Sequence, residues 1–155
     1  GAQISYSMQH VWHFTSPPTS RPLSRRYADT IFIALVARIT ARYASEDAEP
    51  YRAETLAAVC DLPLRQTQEA LGQLLRMGII IEVNYGRDEV EGGYYHPNIA
   101  PERLTLGLLL ETIDHYGSEV LPLKLTGAHA AAWQARAQAY SGLQERSDLL
   151  LRDLV

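Results

Sequence analysis

Cysteine is nearly missing: Cys60 is the single one in 155 residues, which excludes an intramolecular disulfide framework and a thiolate zinc site built within one chain. That fits a reducing, cytosolic setting. Long apolar runs are missing too. No stretch approaches the roughly 20 residues that a bilayer span requires, and the start lacks the charged-then-apolar order of a secretory signal. There is no Gly-rich phosphate loop, no serine-nucleophile motif and no internal repeat. Positive charge is in deficit, with 14 Lys+Arg against 18 Asp+Glu and a formal net charge of -4. A protein that coats nucleic acid needs the opposite field, so that class is excluded. What is present is an apolar fraction of 46%, enough to fill the core of one domain.

The first 28 residues lack acid altogether, while carrying His10, His13, Arg21, Arg25 and Arg26. Trp12 and Phe14 stand just before the arginines, and the three prolines of 16–22 forbid a continuous helix there. Aromatics followed by acid-free arginine are the pattern of the cytoplasmic end of a membrane helix. On that reading Trp12, Phe14, Arg21, Arg25 and Arg26 are membrane-proximal, and the Gly1 opening reads as the interior of a longer chain.

From Ser24 the pattern turns helical. Tyr27, Ile31, Leu35, Ile39 and Tyr43 recur every four residues, with Ser24 as N-cap and an end near Ala44. A short helix is expected from Ala53 to Cys60, with Leu56 and Val59 inward, broken at Asp61-Leu62-Pro63. Leu64 to Met77 forms the next, with Thr67, Leu71, Leu74 and Leu75 inside and Gly78 as its stop. The β-branched run Ile79 to Val83 predicts a strand, returned by Tyr94-Tyr95-His96 across a polar turn. Leu104 to Tyr116 reads as a helix, and so does Ala128 to Val155, either packed back on its own domain or used as an oligomer contact. The fold class is mainly α: a winged helix-turn-helix of three helices plus a β-hairpin wing, with additional C-terminal helices. Its expected divisions are an arm over 1–23, the winged domain over 24–117, and a linker with a C-terminal helix over 118–155.

The string Gly1-Ala2-Gln3-Ile4-Ser5-Tyr6-Ser7-Met8-Gln9-His10 resembles the end of the last membrane helix of the YihY/BrkB family, integral membrane proteins long labelled ribonuclease BN. Relatives in that family also have Leu-Pro at the turn of a winged unit, seen here as Leu62-Pro63. A Gly-led strand entry follows, Gly78-Ile79-Ile80, and a helix start, Leu104-Thr105-Leu106. The resemblance implies a cytoplasmic winged domain at the inner face of a cell membrane. Gln3 departs from the acid common in relatives, and the helix from Ala128 extends past the family pattern.

If the domain reads DNA, helix Leu64 to Met77 presents Arg65, Gln66, Gln68, Glu69 and Gln73 to the major groove, with Arg76 near the backbone and Arg87 in the wing. Charge opposes this. From Tyr51 to Pro97 there are four arginines and seven acids, four minus seven giving -3, and Asp88, Glu89 and Glu91 sit where a phosphate would lie, so DNA binding is expected to be weak. Catalytic, metal and cofactor sites are not expected. His10 and His13 are three apart with no acid nearby, Cys60 reads as core, and no small-molecule substrate is identifiable. The sequence therefore favours a non-catalytic interaction or regulatory module with a protein partner or self-association. The alternative is a DNA-binding winged-helix transcriptional regulator, and a ribonuclease is the third reading.

Overall fold

A computed structural model describes residues 21–86, 92–119, 127–145 and 147–155. The elements follow in the order α1 (Arg25–Ala44), α2 (Ala53–Val59), α3 (Leu64–Met77), β1 (Ile80–Val83), β2 (Tyr94–Pro97), α4 (Leu106–His115), α5 (Ala128–Glu145) and a 3-10 turn at Leu151–Asp153. This is the mainly helical winged arrangement expected from the sequence.

Each boundary has a local cause. Ser24 caps α1, its hydroxyl accepting from the Tyr27 amide at 3.2 Å, which satisfies one of the amides that every helix start leaves unpaired. Between α2 and α3 the chain turns through Asp61, which holds a left-handed φ of 52°; aspartate tolerates that region better than most residues. Pro63, with no amide proton to lose, then stands at the N-cap of α3. Helix α3 stops at Gly78, φ 76°, where a left-handed residue lets the Gly78 and Ile79 amides close the last turn. The chain enters β1 at once, and β1 pairs antiparallel with β2 in the register Ile80 to Pro97 through Val83 to Tyr94.

Helix α1 is the spine of the core. Ile31, Phe32, Leu35, Val36 and Ile39 pack with Leu56 of α2, Ala70, Leu71 and Leu74 of α3, Ile79 and Ile80, and Leu109 of α4. Three inward assignments shift. Tyr27 and Tyr43, at the ends of the α1 stripe, are exposed, and so is Val59. In α2 the buried residues are Ala53, Leu56 and Ala57, so the helical period brings Cys60 round to that side and turns Val59 away.

The C-terminal block differs most from expectation. Helix α5 ends at Glu145, and the chain then runs extended beside the start of α4. Leu106 donates to the Leu149 carbonyl and Gly107 to that of Ser147, both at 2.8 Å, and Leu151 donates to Leu104 at 3.1 Å. Leu151 is fully buried in the main core. The apolar run Leu149-Leu150-Leu151 is therefore a plug for the core rather than the last turn of a helix.

Candidate nucleic-acid interface

Helix α3 divides cleanly into two faces. Thr67, Ala70, Leu71 and Leu74 are buried, and the Thr67 hydroxyl is turned back onto the Pro63 carbonyl at 3.1 Å. The opposite stripe carries Arg65, Gln68 and Arg76, all exposed, with Gln66, Glu69, Gly72 and Gln73 half-buried along its flanks. Six of the seven sequence-nominated contact residues thus lie on this one helix. The seventh, Arg87, lies outside the described residues, as do Asp88, Glu89 and Glu91 of the wing turn and Trp12 and Phe14 of the arm.

Two arginines on the stripe are held differently. Arg65 reaches one turn along α3 to Glu69 at 3.2 Å. A pair of this kind, with Arg65 exposed, contributes about 0.3–0.5 kcal/mol, so the guanidinium can be given up to a stronger anion at little cost. Arg76 donates from Nε to the Tyr116 hydroxyl at 3.1 Å, a contact 40 residues away in sequence that sequence reasoning missed. Gly72 was missed as well. It leaves the middle of the exposed stripe without a side chain, and the signal was available: a glycine inside a helical pattern costs about 1 kcal/mol against alanine and asks for a packing or functional reason.

At the root of the wing lies an aromatic cluster. The Tyr85 hydroxyl and His96 Nε2 are 2.8 Å apart, with Tyr43 set edge-on to His96 at 5.2 Å and Tyr85 edge-on to Tyr94 at 5.3 Å. Burial pushes the His96 pKa down, which favours the neutral imidazole at pH 7. Burial also pushes the Cys60 thiol up, which keeps it from acting as a thiolate. Among the described residues no group of three or more His, Cys, Asp or Glu is placed to hold a metal.

No family model matches the chain, and no curated protein does. Solved structures do. CymR, the global cysteine regulator of B. subtilis, superposes with a TM-score of 0.55 at 15% identity, over 86% of this chain and 95% of that one. CymR of Staphylococcus aureus gives 0.52 at 16% identity, over 83% and 98%, and IscR of T. potens gives 0.54 at 14%, over 87% and 86%. The fold is the winged helix-turn-helix of these regulators.

Those findings correct the YihY/BrkB resemblance. The string that carried it, residues 1–10, lies outside the described residues, and the remaining motifs have local structural causes in this fold. Pro63 opens α3, Gly78 is the left-handed stop before a buried strand, and Thr105 caps α4 by accepting from the Leu108 amide at 3.1 Å. The expected place at the inner face of a membrane is corrected with it. Among the described residues no helix is long and apolar enough to cross a bilayer, and the structural neighbours are regulators matched over most of their length. Arg25, assigned to the membrane surface, is instead bound to Asp114 at 2.8 Å. Arg21 and Arg26 are exposed.

Proposed function

We propose that this domain is a DNA-binding winged-helix transcriptional regulator, with α3 in the major groove. The observation that carries the reading is the exposed stripe Arg65, Gln68 and Arg76 on a helix whose other face is locked into the core. Arginine and glutamine are the side chains suited to the edges of guanine and adenine. Likeness in fold to CymR and IscR supports the same choice.

The net charge of -3 between Tyr51 and Pro97 shapes how such a regulator works. With few phosphates neutralised per copy, one domain binds weakly, and two copies on a pair of half-sites restore affinity. Helix α5 supplies a surface for this second copy: it is 18 residues long, and Trp133 on it is 48% exposed.

The test is selection of duplexes from a random library by the purified chain at physiological salt. A consensus bound at about 10⁻⁸ M or tighter is expected, with Arg65→Ala losing about 1–3 kcal/mol and relaxing one base position. Absence of any enriched sequence, or equal affinity in the Arg65→Ala and Gln68→Ala variants, refutes the reading. A protein-interaction module is the second reading, favoured by the acidic balance of the same segment; it predicts no enrichment at all.

A further inference from the structure

Where α1, α4 and α5 meet there is a cavity of about 270 Å³. Arg25, Arg26 and Asp29 line it from α1, Leu110, Glu111, Ile113 and Asp114 from α4, and Tyr140 from α5. This is below the roughly 300–1,000 Å³ of sites for drug-sized ligands, which restricts an occupant to a small molecule.

The charges around the cavity are unevenly satisfied. Asp114, at its edge, is saturated: Arg25 reaches it from α1 at 2.8 Å and Arg136 reaches it from α5 with both guanidinium nitrogens. These hydrogen bonds, that to Arg136 foremost, hold the Asp114 carboxyl down at about 2. Asp29 is in the opposite state. It is half-buried, and burial raises its carboxyl above the usual range against the weaker pull of Arg25. No ion pair with another described residue neutralises Asp29 or Arg26. The two stand three residues apart on one helix and so share a face, with about 5–6 Å between their Cβ atoms. An anion site and a cation site thus flank one floor made of leucine and isoleucine. A zwitterion meets both sides at once, its cationic group facing the carboxylates of Asp29 and Glu111 and its anionic group facing Arg26.

We propose that this cavity binds a free α-amino acid with an aliphatic side chain, its ammonium group on Asp29, its carboxylate on Arg26, and its side chain over Leu110 and Ile113 beside the Tyr140 ring. The site lies between α5 and the winged body, next to the Arg25–Asp114–Arg136 bridge, so an occupant fastens α5 to that body. It stands whether or not the domain reads DNA.

Isothermal titration of the 155-residue chain tests it without any nucleic acid. The probes are L-leucine, L-isoleucine and L-valine, with 4-methylpentanoate lacking the ammonium and 3-methylbutylamine lacking the carboxylate. At least one amino acid binds with Kd below about 1 mM, and each single-charge analogue is at least about tenfold weaker. Asp29→Asn and Arg26→Gln each weaken amino-acid binding by about tenfold or more, with circular dichroism confirming the fold. Arg26 is exposed, so its variant remains informative if Asp29→Asn does not fold. Failure of all three amino acids to bind overturns the proposal, as does an analogue that matches them or an Arg26→Gln variant that binds like the parent.

Discussion

Leu151→Ala removes the plug that the C-terminal tail drives into the core. The side chain is fully buried against the α1 spine, and leucine-to-alanine changes at such sites cost about 2–5 kcal/mol, the low end where the surroundings can collapse. Here the segment is held by backbone hydrogen bonds to Leu104, Leu106 and Gly107 rather than built into a helix or sheet, and it can shift inward, so about 2.5 kcal/mol is expected. For a chain of this length that lowers Tm by roughly 5–10 °C. Urea unfolding followed by circular dichroism reads the global loss. Hydrogen exchange reads its cause, because the Leu106 and Gly107 amides donate to tail carbonyls and open whenever the tail leaves. Leu154→Ala, at 43% exposure, is the control and stays within about 0.5 kcal/mol. A Tm drop below about 2 °C for Leu151→Ala, or unchanged protection of Leu106 and Gly107, refutes the assignment of the tail to the core.

At the base of the wing, Gly93→Ala places a Cβ 2.6 Å from Glu82 Cγ and 2.9 Å from the Val83 carbonyl oxygen; the backbone atom cannot step aside, so about 1–3 kcal/mol is lost, visible as collapse of the wing amide dispersion in NMR spectra. The Asp114 bridge predicts a pH dependence with a definite sign. Its folded pKa of about 2 lies below the ordinary 3.8, so its stabilisation is complete above about pH 4 and is lost as pH falls through 2. The full shift corresponds to about 2.4 kcal/mol, which solvent screening at the pocket rim reduces to roughly 1 kcal/mol; Asp114→Asn therefore destabilises by that amount at pH 7 and by only about a sixth of it at pH 2 in parallel denaturation series. Removing the α1 cap in Ser24→Ala costs about 1 kcal/mol, and a loss below about 0.3 kcal/mol by the same assay counts against the capping contact.

What the sequence disclosed is what neighbouring residues decide among themselves. Ser24 and Gly78 mark helix ends because capping and the left-handed stop are set within four residues, and the limits Leu64 and Met77 follow from a proline before and a glycine after. The two-faced character of α3 came from the same source, since the 3.6-residue period that buries Leu71 and Leu74 also turns Arg65, Gln68 and Arg76 outward. Contacts between distant residues left no such trace. Asp114 meets Arg25 across 89 positions and Arg136 across 22, and nothing in the local composition of any of the three announces the partner. The tail misled for a related reason: a leucine-rich end to an alanine- and glutamine-rich block has helical propensity, and that propensity gave way to the long-range gain of burying Leu151.

The same distinction explains why the membrane reading arose and why it fails. On that reading the acid-free, arginine-bearing start, with the resemblance carried by residues 1–10, has its charges answered by something outside the chain. In the folded domain the answer to Arg25 comes from within, at Asp114, with the Tyr140 ring 5.6 Å beneath the guanidinium. Asp114 also binds Arg136, so one carboxylate joins the start of α1 to α4 and α5. The asymmetry of charge along the sequence is thus partly cancelled in space, and the cancellation occurs beside the cavity rather than on α3. A change at that bridge can reposition α5 while leaving the buried face of α3, and with it the stripe from Arg65 to Arg76, where the core holds it.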